Sequence, residues 1–342
     1  MKKTTIPMPI RYLINTALLI LFLLIGNIVM RSGALPGAWH DEILHIGIFI
    51  ILAVSLNLVT GYLGQLPLGH AGFMAIGAYA AAIFWNSGML PHNGSALVLG
   101  IILAGIIAAI FGILIGIPTL RLRGDYLAII TLGFAEIIRA AITNLPGITN
   151  GALGLRVPRT FAFRNINSPF LLVFIFVIVC CAIIHLIMKS RHGRAILSIR
   201  ENEIAAESCG INTTYYKVMA FTLSAFLAGI AGALYAGYVG FLEPGEFDFM
   251  MSINILMMVV LGGMGSMLGS IISAAILTSL PLLMQFLAQY RMVIFAVMLI
   301  LVMIFKPSGL LGNYDFSLSR IIEKIIGLFR KDKTRKAGAP NE

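Results

Sequence analysis

The sequence predicts an all-α membrane protein: a polytopic bundle of about ten transmembrane helices (about eight at the fewest), with both termini in the cytoplasm. Hydrophobic residues make up 59% of the 342 residues and charged residues only 11%, whereas a soluble domain carries about a quarter charged residues. The apolar side chains fall in runs of about 17 to 25 residues, the length that a helix needs to cross a bilayer. These runs do not alternate with a period of two, so helices are favoured over a barrel of strands.

The apolar runs define ten candidate spans. They cover residues 12–30, 42–60, 66–85, 96–119, 125–143, 169–188, 218–240, 250–262, 270–287 and 290–306. The first run follows Lys2, Lys3 and Arg11, as in a signal peptide. It is longer than a typical signal sequence core and no small-residue cleavage site follows it, so we interpret it as a retained span.

Basic residues predict the orientation, because short loops rich in Lys and Arg stay in the cytoplasm. Such clusters lie at the N-terminus, at Arg121 and Arg123, between residues 189 and 217, and in the tail from Lys306 onward. A chain with both termini in the cytoplasm must cross the membrane an even number of times. We therefore interpret 250–287, which glycines interrupt, as two short spans.

One loop departs from this pattern. Residues 144–168 should lie outside, yet they carry Arg156, Arg159 and Arg164. The loop either packs against the protein or partly re-enters the membrane. The domain prediction is a single transmembrane domain over 1–312, with the cytoplasmic loop 189–217, followed by a basic cytoplasmic tail over 313–342.

Several function classes find little support in the sequence. The net charge of +10 follows the positive-inside pattern, so we expect no nucleic-acid partner. Cys180, Cys181 and Cys209 form neither a disulfide framework nor a zinc pattern. The chain contains no Gly-x-x-x-x-Gly-Lys-Ser/Thr motif, so it cannot cradle ATP by that route. We find no metal-ligand motif and no catalytic triad, and expect neither a catalytic nor a metal site.

Two connections between predicted spans, which we call glycine joins, have similar glycine patterns. The first join (residues 61–69) contains Gly61, Gly64 and Gly69, and the second join (residues 262–269) contains Gly262, Gly265 and Gly269. In the predicted topology both joins face the cytoplasm. Glycine-broken segments at corresponding positions of two halves are typical of transporters built from internal repeats. Pure helix packing is the alternative reason for these glycines, and small residues such as Ala78, Ala80, Ala81 and Ala82 also favour close packing.

The cytoplasmic loop 189–217 is the candidate docking element. Residues 198–207 mix charge with helix formers and predict a short helix ended by Gly210. Glu203 and Glu207 would share one face, which could bind a soluble partner. The alternative is an ordinary solvated loop.

Five segments in order resemble the LivM-type permeases of branched-chain amino-acid ABC transporters. They are Gly64–Phe73 with Ile76–Tyr79, Arg123–Arg139, Gly193–Asn212, Val259–Ser266 and Phe305–Gly312. The resemblance runs from about residue 45 to 312. It implies a membrane subunit of an ABC importer in the bacterial cytoplasmic (inner) membrane, without an ATPase site and without a bound cofactor, since ATP binds to the partner subunits.

The resemblance also implies partners: a homologous second permease, two ATP-binding subunits, an extracytoplasmic solute-binding protein and membrane lipid. Loop 189–217 resembles the EAA loop, a coupling helix that sits on the ATP-binding subunit, although Ile204 stands at the usual glutamate position. The coupling residues implied are Arg200, Glu201, Glu203, Ala205, Ala206 and Gly210.

Four polar residues are candidates for the translocation path or its gate: Gln65, His70, Glu136 and Arg139. Glu136 and Arg139 lie one helical turn apart in an apolar span, and charges in the membrane usually face a cavity or a partner. A structural ion pair is the alternative for these two, and a turn-stabilising hydrogen bond is the alternative for His70.

Three other functions stay open from the sequence. A closely similar branch of the family transports urea and short amides, and these motifs do not separate it. An ion-coupled secondary transporter would need a titratable cluster in the membrane, for which only Glu136, Arg139 and Asp125 qualify. A membrane enzyme would need a convergent acid, base or metal set.

Overall fold

The computed structural model describes residues 8–32, 36–88, 94–119, 124–158, 161–163, 166 and 168–283, and positions 290, 293, 297, 300 and 304. The chain divides into two compact units. One contains the first helix, α1 (Met8–Arg31). The other runs from Pro36 to Asn313. Most of the predicted span 290–306, the segment Phe305–Gly312, the tail 313–342 and Arg123 lie outside the described residues.

The described residues are almost entirely helical, which confirms the predicted fold class. The helices of the second unit are α2 (Gly37–Asn57), α3 (His70–Asn86), α4 (Gly94–Thr119), α5 (Asp125–Thr143), α6 (Pro146–Thr149), α7 (Pro169–Lys189), α8 (Arg191–Glu201), α9 (Glu203–Ser208), α10 (Thr213–Val239), α11 (Phe249–Gly262) and α12 (Met267–Leu283). Strands β1 (Leu155–Arg156) and β2 (Phe241–Leu242) form one short antiparallel pair.

Five described helices are long and apolar enough to cross a membrane: α4, α5, α7, α10, and α2 with its continuation to Tyr62. Shorter apolar helices include α11, α12 and the part of α1 from Ala17 to Arg31. Each lies on a predicted span. The number of crossings and the cytoplasmic position of the termini stay predictions.

In the bundle core α3, α4 and α10 contact one another most extensively, and α2 packs against α10 and α12. The packing of this core depends on small residues. Gly77 of α3 lies against Gly229 of α10, where a β-carbon would overlap with the opposing backbone. Ala78 and Ala81 are fully buried. Small side chains let helix backbones approach closely in lipid, so the prediction of close packing around Gly77 and its alanines is confirmed.

Outward faces of the long helices are apolar. Leu114 of α4 is 64% exposed and Leu186 of α7 is 68% exposed. In a soluble protein this much exposed hydrocarbon would be unfavourable, but in a bilayer it contacts lipid tails.

The described part of the loop 144–168 packs against the protein around Arg156. Arg156 of β1 pairs with Phe241 of β2, and the backbone oxygen of Arg156 accepts a hydrogen bond from Asn86 at the end of α3. The loop therefore lies at the same end of the bundle as the connection from α10 to α11. Arg159 and Arg164 lie outside the described residues.

Candidate functional site

The connection between α7 and α10 folds into two helices instead of the single helix predicted over 198–207. That prediction is wrong at Asn202, where α8 ends and α9 begins. The Asn202 side chain accepts a hydrogen bond from the backbone N–H of Ala205 (3.0 Å). Asn is among the most favourable residues for starting a helix in this way. Gly210, with φ of +81°, turns the chain after α9, as the sequence predicts.

The two helices bury one face and expose the other. Ala195, Ile196 and Ile199 of α8 and Ala206 of α9 are buried. Glu201, Ala205 and Gly210 are exposed, and Ile204 is 66% exposed. Ile204 projects from a short polar helix outside the apolar spans, and none of the described side chains covers it. Of the six predicted coupling residues, Glu201, Ala205 and Gly210 therefore lie on the outer face, and Glu203 and Ala206 contact the bundle. Arg200 is exposed as a residue, yet its guanidinium reaches the bundle.

Glu203 contacts α10 through an ion pair. Its Oε1 lies 2.7 Å from Nζ of Lys217, whose side chain is 4% exposed, and the Glu203 side chain is 27% exposed. Sequence reasoning used Lys217 only as a marker of the cytoplasmic side. A lysine in the first turns of an apolar helix could have indicated a buried partner, since lysine is rarely buried unpaired.

Arg200 contacts the first glycine join. Its Nη1 donates a hydrogen bond of 2.6 Å to the backbone oxygen of Gly61. Gly61 lies in a π-helical turn, Leu58–Tyr62, that continues α2. Such turns interrupt α-helices and occur frequently at functional sites.

The two glycine joins meet in space. Asn57 Oδ1 accepts a hydrogen bond from the backbone N–H of Gly265 (2.8 Å). A β-carbon on Gly61 would overlap with that same N–H. The two joins with similar glycine patterns are therefore in contact, although they are more than 200 positions apart in the sequence. Asn57 is a residue that sequence reasoning missed, because one Asn at the end of an apolar run gives no signal of its own.

His70 lies in a buried cluster of hydroxyl groups. Its Nε2 is 2.9 Å from the hydroxyl of Ser55, whose backbone oxygen accepts a hydrogen bond from Ser224 (2.7 Å). The next residue, Ala71, donates its N–H to the hydroxyl of Ser252 (3.2 Å). His70 is 3% exposed. These bonds join α2, α3, α10 and α11 and have the geometry of the turn-stabilising alternative. The serines gave no signal in the sequence.

Gln65 lies apart from His70, in the unwound segment between the π-helical turn and α3. Its backbone N–H donates to Val59 (3.0 Å), and its side-chain oxygen is buried without a hydrogen-bond partner among the described residues. Two residues before His70, the N–H of Leu68 donates to the hydroxyl of Thr131 in α5 (3.0 Å).

Glu136 and Arg139 form the ion pair that their spacing predicts. Glu136 Oε2 lies 2.7 Å from Nη2 and 2.8 Å from Nε of Arg139. The Arg139 and Glu136 side chains are 40% and 39% exposed, so the described residues do not enclose the pair. The neighbouring face of α5 carries apolar side chains such as Ile137, which is 62% exposed.

The opposite end of the bundle carries an acidic and aromatic group. Tyr235 donates a hydrogen bond to Oε2 of Glu246 (3.2 Å), and the ring of His45 stacks on Tyr238 with centroids 5.4 Å apart. Burial raises the pKa of the Glu246 carboxyl, the Tyr235 hydrogen bond opposes that rise, and the nearby Glu243 charge adds to it. Among the described residues, no group of three His, Cys, Asp or Glu side chains could hold a metal ion.

Comparison with known families decides what this bundle is. Residues 42–303 match the family described as "Branched-chain amino acid transport system / permease component". The chain belongs to this permease family. The match spans the bundle from α2 onward and includes both glycine joins, α8 and α9.

Individual relatives agree with the family. The permease is 37% identical over 300 residues to the high-affinity branched-chain amino acid transport system permease protein LivM of Salmonella typhimurium, a match that covers 77% of this chain and 68% of the relative. LivM of Escherichia coli K12 shows the same identity and coverage. LivH of Salmonella typhimurium is 27% identical over 282 residues, covering 78% of this chain and 91% of the relative. No solved structure matches the chain.

Proposed function

We propose that this permease is the membrane subunit of an ABC importer that moves branched-chain amino acids across the bacterial inner membrane. The family match over residues 42–303 carries this proposal, and the LivM relatives support the solute class. Energy comes from ATP hydrolysis on two separate ATP-binding subunits, and a solute-binding protein delivers the amino acid on the other side. Urea and short amides are the alternative solutes.

The outer face of α8 and α9 is the proposed docking surface for an ATP-binding subunit. We define this docking surface by Glu201, Ile204, Ala205 and Gly210, all exposed. Ile204, 66% exposed, stands where the resemblance to the EAA loop places the contact with the ATP-binding subunit, and this supports the assignment. The ion pair of Glu203 with Lys217 supports the role, because it joins the docking surface to a long membrane helix.

A second permease of the same family is the proposed partner within the membrane. Salmonella typhimurium has both LivM and LivH, and this chain is similar to each. The half-exposed pair of Glu136 and Arg139 supports a partner or a water-filled path beside α5, because charges that face lipid are costly. We propose that this face of α5 borders the path between the two permeases.

Docking is tested with a pair of matched variants, Ile204→Lys and Leu153→Lys. Both residues are large, apolar and exposed (66% and 79%), but Leu153 lies in the loop 144–168 at the opposite end. Ile204→Lys should lower co-purification of the ATP-binding subunits by about tenfold or more, as for a central interface residue. Leu153→Lys should leave it unchanged. Full recovery of both subunits with Ile204→Lys would contradict the assigned docking surface.

Transport is tested in liposomes that contain the complete complex and the binding protein. Uptake of leucine, isoleucine or valine that requires internal ATP is the expected result. ATP-dependent uptake of urea alone would change the solute to the alternative. Uptake by the permease alone, without ATP, would refute the importer and favour an ion-coupled transporter.

A further inference from the structure

Arg200, in the last turn of α8, lies against both glycine joins. Its Nη1 donates to the backbone oxygen of Gly61 in the first join (2.6 Å). A β-carbon on Gly265, in the second join, would lie 2.9 Å from the same Nη1. A β-carbon on Gly64 would lie 3.1 Å from Cγ of Arg200. One side chain is therefore packed against three glycines that occur in two distant parts of the sequence.

Regular helix is interrupted at both joins, so side-chain contacts such as those of Asn57 with Gly265 and of Arg200 with Gly61 hold them. Gly64 and Gly265 both adopt positive φ, at +79° and +88°. The chain between the π-helical turn and α3 is unwound, and a short loop separates α11 from α12. A guanidinium donates strong, directional hydrogen bonds to backbone oxygens. The Arg200 contact thus fixes the position of two segments where long helices are interrupted.

Arg200 is also well connected to the docking surface. It lies in the last turn of α8, one residue before Glu201, and the helix is held by the buried side chains of Ile196 and Ile199. Beyond Asn202, the ion pair of Glu203 with Lys217 fixes α9 against α10. A displacement of the docking surface must therefore move the guanidinium relative to Gly61 and Gly265.

We propose that Arg200, although exposed as a residue, acts through its guanidinium as a positioning residue that transmits movement of α8 and α9 to both glycine joins, rather than as a contact of the ATP-binding subunit. This inference rests on the proposed importer function. It assigns to the guanidinium the step between ATP-driven movement at the docking surface and reorientation of the interrupted helices α2–α3 and α11–α12. The contact of Gly61 with Gly265 lets one side chain act on both pairs of helices together.

The test uses the full complex in liposomes with the variants Arg200→Gln and Arg200→Lys. Three quantities are measured: co-purified ATP-binding subunits, the rate of ATP hydrolysis, and solute taken up per ATP hydrolysed. Arg200→Gln should keep the subunits and retain hydrolysis, while uptake per ATP falls by about tenfold or more, since a hydrogen bond from a charged donor is lost. Arg200→Lys, which keeps one charged donor, should give an intermediate value.

The matched control is Arg191→Gln, at the start of the same helix. Arg191 is exposed, and its side chain makes no hydrogen bond or ion pair with the described residues. Uptake per ATP in Arg191→Gln should therefore stay at the wild-type value. A purely structural role of Arg200 would lower the yield of folded complex and leave the uptake per ATP of the remainder unchanged.

Two results would overturn the proposal. Wild-type uptake per ATP in Arg200→Gln would show that the contact transmits nothing. Loss of the ATP-binding subunits in Arg200→Gln and Arg200→Lys would show that Arg200 is itself a docking contact. If the Arg200→Gln complex does not accumulate, uptake per ATP is compared between Arg200→Lys and the wild type instead. Failure of the wild-type permease to co-purify with ATP-binding subunits would instead refute the importer function, before any variant is compared.

Discussion

The ion pair of Lys217 with Glu203 makes an asymmetric prediction. The Lys217 side chain is 4% exposed, whereas the Glu203 side chain is 27% exposed. Glu203→Met leaves an ammonium without its partner and almost without water, which should cost about 3 kcal/mol. Lys217→Met leaves a carboxylate that water still reaches, so it should cost about 1 kcal/mol. The double variant replaces both charges by apolar groups and should lie near the wild type.

Thermal unfolding in detergent measures this order. Cys180 is buried and Cys181 is partly buried, so a thiol-reactive fluorophore reports when the bundle opens. Cys209 is exposed and is replaced by Ser in every sample to remove the background. The unfolding midpoint should be lowest for Glu203→Met. Equal losses from the two single variants, or a double variant less stable than either, would refute the reasoning from burial.

Three further predictions concern other parts of the bundle. Gly61→Ala should abolish the folded permease in a membrane-expression assay, because the β-carbon overlaps with the second glycine join, whereas Gly133→Ala, which meets no atom within 4 Å, should be tolerated. Thr131→Val should lower stability by about 1–3 kcal/mol in the same unfolding assay, because the N–H of Leu68 loses its acceptor. Because the pKa of Glu246 is raised in the fold, its contribution to stability is full below the ordinary carboxyl pKa and is lost as pH rises through the raised value. Glu246→Gln should remove this pH dependence of the unfolding midpoint, and an unchanged pH profile would contradict the assignment.

Helix positions were predictable from the sequence because apolar run length is set by bilayer thickness. Span 169–188 corresponds to α7 (Pro169–Lys189) and span 125–143 to α5 (Asp125–Thr143). The prediction was wrong at Asn202. There, residues 198–207 have the composition of one helix, but Asn202 ends α8 and caps α9 with its own side chain. Helix propensity is a weak signal over ten residues, and a local cap overrides it.

The site was only partly predictable. The similar glycine patterns of the two joins indicated that two long helices are interrupted. The contact between the joins depends on how α2, α11 and α12 pack, which no local sequence pattern encodes. Arg200 and Glu201 are adjacent and both charged, so the sequence does not separate their roles. Adjacent residues on a helix nevertheless point in directions about 100° apart. The hydrogen bond to Gly61 shows that the guanidinium reaches the bundle although Arg200 as a residue is exposed.

The ion pair of Glu136 and Arg139 is partly exposed on a helix that is apolar enough to span the membrane. Their spacing predicts the ion pair and the structure shows it, so the two charges compensate each other. Yet roughly two fifths of each side chain stays exposed on a helix apolar enough to span the membrane. A paired charge still has a large cost of transfer into hydrocarbon. Within the described residues this face of α5 is therefore energetically incomplete, which is why we propose that a second permease or a water-filled path lies beside it.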